Sequence, residues 1–69
     1  MEDKEFLKQL GLKLKCQRIM KEMSVQSASK QTGLHAGTIL DIEKGTKDFH
    51  ILNLKRLMNA YGVELKEIF

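Results

Sequence analysis

The 69-residue chain contains no proline and a single cysteine. Without proline, its helices are interrupted only where glycine occurs. The lone Cys16 excludes an intramolecular disulfide and a cysteine-based zinc site, and its spacing from Ile19, Met20 and Met23 predicts a small buried apolar residue rather than a redox or catalytic one. No apolar run approaches the roughly 18 residues that a membrane-spanning helix needs, and the acidic start MEDKEFLKQ is unlike a signal peptide. We therefore expect a cytoplasmic protein without membrane contacts.

Residue patterns that support catalysis are also missing. The chain has no Ser/His/Asp or Cys/His spacing and no glycine-rich phosphate loop before a helix, and a domain this short has little concave volume. His35 and His50 have no cysteine partner and lack metal-ligand spacing. We therefore expect neither an enzyme nor a bound metal or other cofactor.

The composition is that of a globular domain with a basic charge balance. Hydrophobic residues make up 42% and charged residues 30% of the chain, which favours a packed core over disorder. The length limits residues 1–69 to a single domain. A net charge of +3 and a pI near 9.2 suit an anionic partner. Because no stretch alternates apolar and polar residues with period two, we predict helices and no sheet.

The segment from Ser24 to Gly45 predicts two short helices joined by a tight turn. Serine, as at position 24, is a residue type that caps helix N-termini. Gly33 stands where the first helix must end in a left-handed conformation. Ile39 and Ile42 then continue the apolar pattern at helical spacing until Gly45. Two helices of about two turns each around a glycine are typical of a helix-turn-helix motif.

A longer helix is predicted before the motif, from Asp3 to about Glu22. Its apolar residues fall on two faces about 140° apart at 100° per residue. One face carries Phe6, Leu7, Leu10 and Leu14, and the other carries Leu12, Cys16, Ile19, Met20 and Met23. This pattern predicts either a central helix covered on both sides or a contact of the Phe6 region with a second subunit. Gly11 indicates a bend or a close packing contact.

Two further helices are predicted after the motif. One begins at Ile51 and ends at Gly62, and a last apolar turn follows. The predicted architecture is a compact all-α domain of about five helices. Because the last turn carries more apolar surface than a monomer core needs, we expect a dimer interface there, formed by Val63, Leu65, Ile68 and Phe69.

From about Leu10 to Phe69 the chain resembles the XRE family, the Cro and lambda-repressor-like helix-turn-helix domains. The most specific parts are Gly-x-Lys-Leu-Lys-x-x-Arg from Gly11 to Arg18, the pair Met23-Ser24, the run GLHAGTILDIEKG, and the ending that begins at Leu54. All of them occur in the family's order and spacing. The resemblance implies a lambda-repressor-like fold that binds double-stranded DNA.

The resemblance also implies a role for individual residues. The second helix of the motif would lie in the major groove, while the backbone N–H groups of Ser24, Val25 and Gln26 would face a phosphate. The recognition helix would start at His35. Independently of the resemblance, helix geometry points Ala36, Gly37, Leu40, Asp41 and Lys44 outward if Ile39 and Ile42 point inward. The Thr38 hydroxyl would be a further contact. Lys44, Thr46 and Lys47 would contact the DNA backbone. Arg18 and Glu43 match a pair that joins two helices in the family; two solvated charges are the alternative.

The base-reading positions depart from the family pattern. Val25, Ala36, Gly37 and Leu40 stand where relatives often carry Gln, Arg or Ser, and direct readout rests largely on bidentate Arg, Gln or Asn contacts. Two hypotheses follow. The chain is a sequence-specific transcriptional regulator, a small phage-, plasmid- or restriction-control-type repressor acting as a homodimer on a palindromic operator. The alternative is a protein-interaction module, such as an antirepressor or a regulator's partner, that has kept the fold without base reading.

Overall fold

Five helices follow one another in the computed structural model, which describes residues 3–46, 48 and 50–68. They are α1 (Asp3–Met20), α2 (Val25–Thr32), α3 (Ala36–Lys44), α4 (Ile51–Tyr61) and α5 (Leu65–Ile68). Within these ranges there is no strand, and no helix combines the length and apolarity that a membrane span requires. The predicted all-α, five-helix fold is confirmed. Two predicted contact residues, Lys47 and Phe69, lie outside the described residues.

All five helices contribute to one apolar core. α1 packs against α3, α4 and α5, and α2 packs against α3 and α4. Ile39 and Ile42, predicted to point inward, are 0% and 2% exposed. The other buried apolar side chains are Leu10, Leu14, Ala28, Leu34, Leu54, Leu57, Tyr61 and Ile68. The core therefore fixes α3 through its inward face and leaves its opposite face to solvent.

Only one of the two predicted apolar faces of α1 contributes to the core, and Phe6 at the start of that face is 42% exposed. Leu10 and Leu14 lie in the core at 4% and 0% exposure, and the helices that contact α1 cover this side. The outer α1 face remains in solvent: Leu12 is 58%, Ile19 55% and Met20 72% exposed, and Cys16 is exposed as well. The expectations of a helix covered on both sides and of a buried Cys16 are therefore wrong. The remaining elements are too few to cover both faces.

α1 ends at Met20 rather than near Glu22 as predicted. Glu22 adopts a left-handed backbone conformation with φ 57°, which an L-residue reaches only at a cost and which turns the chain out of the helix. The N–H of Met23 donates to the carbonyl oxygen of Arg18 at 3.1 Å and closes this turn. The chain then enters the helix-turn-helix segment directly.

Candidate nucleic-acid interface

The N-terminus of α2 carries backbone N–H groups that make no hydrogen bond to the described part of the chain. Ser24 caps the helix, and its hydroxyl accepts a hydrogen bond from the N–H of Ser27 at 3.0 Å. The helix geometry leaves the N–H groups of Ser24, Val25 and Gln26 without carbonyl partners inside the helix. Ser24 and Gln26 are exposed, whereas the side chain of Val25 is half-buried and packs against the core. Val25 therefore offers its backbone to a ligand more readily than its side chain.

The turn between α2 and α3 is held by side-chain hydrogen bonds. Gly33 adopts φ 78°, as predicted, and its N–H donates to the carbonyl oxygen of Ser29 at 2.9 Å. The Thr32 hydroxyl donates to the carbonyl of Ala28 at 2.7 Å and accepts from the N–H of Leu34 at 3.1 Å. The Ser29 hydroxyl donates to the carbonyl of Leu34. These contacts fix the start of α3 relative to α2.

The role of Ser29 and Thr32 in the turn was not predicted from the sequence. A signal for it was present, because Ser and Thr side chains bond readily to backbone groups a few residues away. Their position directly before Gly33 places those bonds across the turn.

α3 exposes a face that carries no Arg, Gln or Asn side chain. His35 precedes the helix in an extended conformation, is exposed, and makes no side-chain capping hydrogen bond. Gly37, Leu40 and Lys44 are exposed, whereas Ala36, Thr38 and Asp41 are half-buried. A methyl group built on Gly37 would meet nothing within 4 Å. The predicted outward residues therefore line one accessible face, with Gly37, Leu40 and Lys44 as its exposed members.

α3 ends in a compact C-terminal cap. The N–H of Gly45 donates to the carbonyl oxygens of Asp41 and Ile42, each at 3.1 Å. Both the N–H and the hydroxyl of Thr46 approach the carbonyl of Asp41 at 3.4 Å. Lys44 and Thr46 are exposed at this end of the helix. Lys44 and Thr46 are therefore accessible to a ligand that binds the exposed face of α3.

A buried ion pair joins α1 to α3, as predicted. The Nε of Arg18 lies 2.7 Å from one carboxylate oxygen of Glu43, and its Nη2 lies 3.2 Å from the other. Its Nη1 donates to the carbonyl oxygen of Met23 at 2.8 Å. The hydrogen bond to Glu43 raises the pKa of Arg18 above its ordinary value. Arg18 therefore connects α1, the chain entering α2, and the end of α3.

Tyr61 is buried close to this pair. Its side chain is 1% exposed, and its hydroxyl finds no hydrogen-bond partner among the described residues. Burial, with a smaller contribution from the charge of Glu43, raises the pKa of Tyr61 to about 12. The uncharged phenol is therefore the form that the core accommodates.

The predicted dimer residues are divided between surface and core. Leu65 is 52% exposed and Val63 is half-buried. Ile68 is 2% exposed because its side chain belongs to the core of its own subunit. This corrects the expectation that Ile68 faces a partner. No cluster of metal-binding side chains occurs in the described part of the chain.

These elements define a helix-turn-helix domain, the class in which the second helix of the motif enters the DNA major groove. A family model described as helix-turn-helix matches residues 14–68, and the chain belongs to this XRE-type family of DNA-binding regulators. The chain is also similar to the restriction-modification controller protein C.AhdI from Aeromonas hydrophila, at 25% sequence identity and a TM-score of 0.85. The match covers 91% of this chain and 96% of that one. No curated protein sequence matches the chain.

Proposed function

We propose that the chain is a sequence-specific transcriptional regulator that binds a palindromic DNA site as a homodimer. The observation that carries this proposal is the combination of an open α2 N-terminus with an exposed α3 face, held in fixed geometry by the turn and by the Arg18–Glu43 pair. Family membership and the similarity to a restriction-modification controller support it and favour control of restriction genes as its setting. Such a regulator works where the DNA is, in the cytoplasm.

The α2 N-terminus would anchor the protein to one phosphate. Backbone N–H groups at a helix N-terminus bind anions because they point at the ligand and carry the positive end of the helix dipole. Ser24, Val25 and Gln26 supply these groups. Lys44, Thr46 and Lys47 would contact the backbone at the other end of the motif, where Lys44 and Thr46 are exposed. These contacts position the protein without reading sequence.

Base reading would come from the middle of α3. Leu40 and Ala36 offer apolar contact to thymine methyl groups, the Thr38 hydroxyl and His35 offer hydrogen bonds, and Asp41 can accept from cytosine. The face has no Arg, Gln or Asn, so each contact discriminates weakly. We therefore propose a preference for thymine-containing sites with modest discrimination at each position.

A second subunit would pack on the C-terminal surface. Leu65 exposes 52% of its area there. Together with Val63, Phe69 and the end of α4, it would provide apolar area for a self-complementary contact. A two-fold dimer would place its two α3 helices in successive major grooves about 34–36 Å apart.

Selection of bound duplexes from a random DNA pool tests the proposal. A regulator yields a palindromic sequence whose half-sites are about one helical turn apart. Its affinity for that sequence should fall by roughly a thousandfold or more between 50 and 200 mM salt, as expected when about 6–10 phosphates are contacted. Recovery of no sequence, together with no DNA binding at 50 mM salt, would overturn the proposal.

One observation favours the second candidate, a protein-interaction module. The outer α1 face, formed by Leu12, Cys16, Ile19 and Met20, exposes apolar side chains that the fold does not use. An adaptor would bind a partner through this face and show no DNA affinity at low salt. Leu12→Glu would then abolish partner binding, whereas it should leave the DNA affinity of a regulator unchanged.

A further inference from the structure

A cleft of about 510 Å³ is lined by residues from the beginning of α1 and from the end of α3 and beyond. Lys4 and Lys8 line it from α1, Gly45 and Thr46 line it from the end of α3, and Asp3, Leu7 and Asp48 complete its wall. We propose that Lys4 and Lys8 contact the phosphodiester backbone of DNA, so that the DNA-binding surface extends from the motif onto the first turns of α1. This inference rests on the proposed DNA-binding function.

The end of α3 lies directly against the backbone of Lys8. A methyl carbon built on Gly45 would stand 2.6 Å from both the Cα and the amide nitrogen of Lys8, so no side chain separates the two segments. Thr46, the next residue, is exposed and is a proposed backbone contact. Lys8 therefore lies next to Gly45, the neighbour of Thr46. A DNA strand that contacts Thr46 would pass close to Lys8.

The two lysines point to the same side of α1. They are four residues apart, which at 3.6 residues per turn separates their directions by about 40°. Both are exposed, and neither forms an ion pair in the part of the chain that the structure describes. Two ammonium groups one turn apart can thus follow consecutive phosphates of one strand.

The carboxylates of Asp3 and Asp48 make the cleft a poor site for a free phosphate ion and leave DNA phosphates as its ligand. With two lysines and two aspartates among its lining residues, the cleft carries no net charge, which disfavours capture of a free phosphate ion. A DNA strand already held by α2 and Lys44 brings its phosphates to the lysines at high effective concentration. The lysines would therefore act on bound DNA and would not form a separate anion site.

The test compares the DNA affinity of wild type, Lys4→Gln, Lys8→Gln and the double variant across salt concentrations. A random-sequence duplex serves as the probe, because phosphate contacts do not depend on sequence. Each lysine that contacts a phosphate contributes about a threefold loss of affinity between 50 and 200 mM salt, hence about tenfold for the two copies in a dimer. Each single variant should lose that part of the salt dependence.

Lys13→Gln provides the matched control on the same helix. Lys13 is exposed and points about 140° away from Lys8, so its removal should leave the salt dependence unchanged. Asp48→Asn should act in the opposite direction and raise the affinity at 50 mM salt. Thermal unfolding of each variant verifies that the fold is intact.

The inference and the proposed function fail in different ways. If wild type binds DNA and Lys44→Ala weakens it, but the Lys4/Lys8 double variant keeps the wild-type affinity and salt dependence, the inference alone is overturned. An equal loss of salt dependence in Lys13→Gln also overturns the inference, since the effect would then reflect the net charge of the protein. Absence of wild-type DNA binding at 50 mM salt overturns both.

Discussion

Arg18 holds both carboxylate oxygens of Glu43 from 25 residues away in the chain, with contacts of 2.7 and 3.2 Å. The two side chains are only 10% and 4% exposed. The pair therefore sits where an unpaired charge would be costly. Its position between α1 and the last turn of α3 adds an ionic contact to the core packing that already orients the exposed helix.

Glu43→Ala should destabilise the domain by about 3–5 kcal/mol, because Arg18 is left as a buried charge without a partner. This approaches the whole stability of a domain this small, on the order of 5 kcal/mol. Arg18→Met/Glu43→Leu removes both charges and should cost only about 1–2 kcal/mol, chiefly for the lost bond to the Met23 carbonyl. Urea unfolding followed by circular dichroism measures both. A double variant as unstable as the single one would contradict this account.

Tyr61→Phe should leave stability at neutral pH unchanged or slightly higher, because the hydroxyl has no hydrogen-bond partner among the described residues. At alkaline pH, however, the stability of wild type and of Tyr61→Phe should differ. The folded-state pKa of Tyr61 is raised from 10 to about 12, so its contribution to stability is fully present below pH 10 and is lost as pH rises through 12. The loss amounts to about 2–3 kcal/mol. Unfolding at pH 8 and pH 11–12 should show it in wild type and not in Tyr61→Phe.

Gly11→Ala should destabilise the domain by about 1–3 kcal/mol even though alanine favours helix. The added methyl carbon would lie 2.6 Å from the carbonyl oxygen of Glu43 and closer still to that of Ile42, so α1 and α3 would have to separate. Gly37→Ala is the matched control, since its methyl group would meet nothing within 4 Å. It should stabilise by about 0.5–1 kcal/mol. Similar thermal midpoints for the two variants would exclude close packing at Gly11.

Lys44→Ala should weaken binding to all DNA sequences by a similar factor, because a phosphate contact carries no sequence information. Leu40→Gln, in contrast, should change the preferred bases and leave nonspecific affinity nearly constant. Competition binding with a selected site and a scrambled duplex separates the two effects. Unchanged affinity in Lys44→Ala would show that the end of α3 does not approach the backbone.

Leu65→Glu should convert the proposed dimer to a monomer without unfolding it, since the residue is 52% exposed within the subunit. Burying a carboxylate at the proposed interface would be costly. Sedimentation at micromolar concentration gives the mass, and Leu12→Glu on the outer α1 face serves as the control that stays dimeric. A monomeric wild type would remove the proposed interface altogether.

Local rules predicted the fold well. Capping by Ser24, the left-handed Gly33 and the inward positions of Ile39 and Ile42 follow from properties of a few neighbouring residues. Periodicity also identified the apolar residues of α1, but it cannot tell which face other helices will cover. Ile19 is exposed and Ile68 is buried because of how the helices pack together. This arrangement cannot be deduced from a local sequence pattern.

The candidate site was predictable in part. The Arg18–Glu43 pair came from family resemblance, since no local rule connects residues 25 apart. The bonds of Ser29 and Thr32 across the turn were within reach of local rules but were missed. The proximity of Lys8 to Gly45 could not be predicted, because it arises from the packing of two helices distant in sequence.

The connections that Arg18 makes to Glu43 and to the Met23 carbonyl also have a thermodynamic consequence. They order the end of α3 and the approach to α2 during folding, so that little backbone entropy remains to be lost when DNA arrives. The heat capacity change of association should then equal the value expected from the apolar surface that the interface removes from water. It should not reach the larger value that accompanies coupled folding.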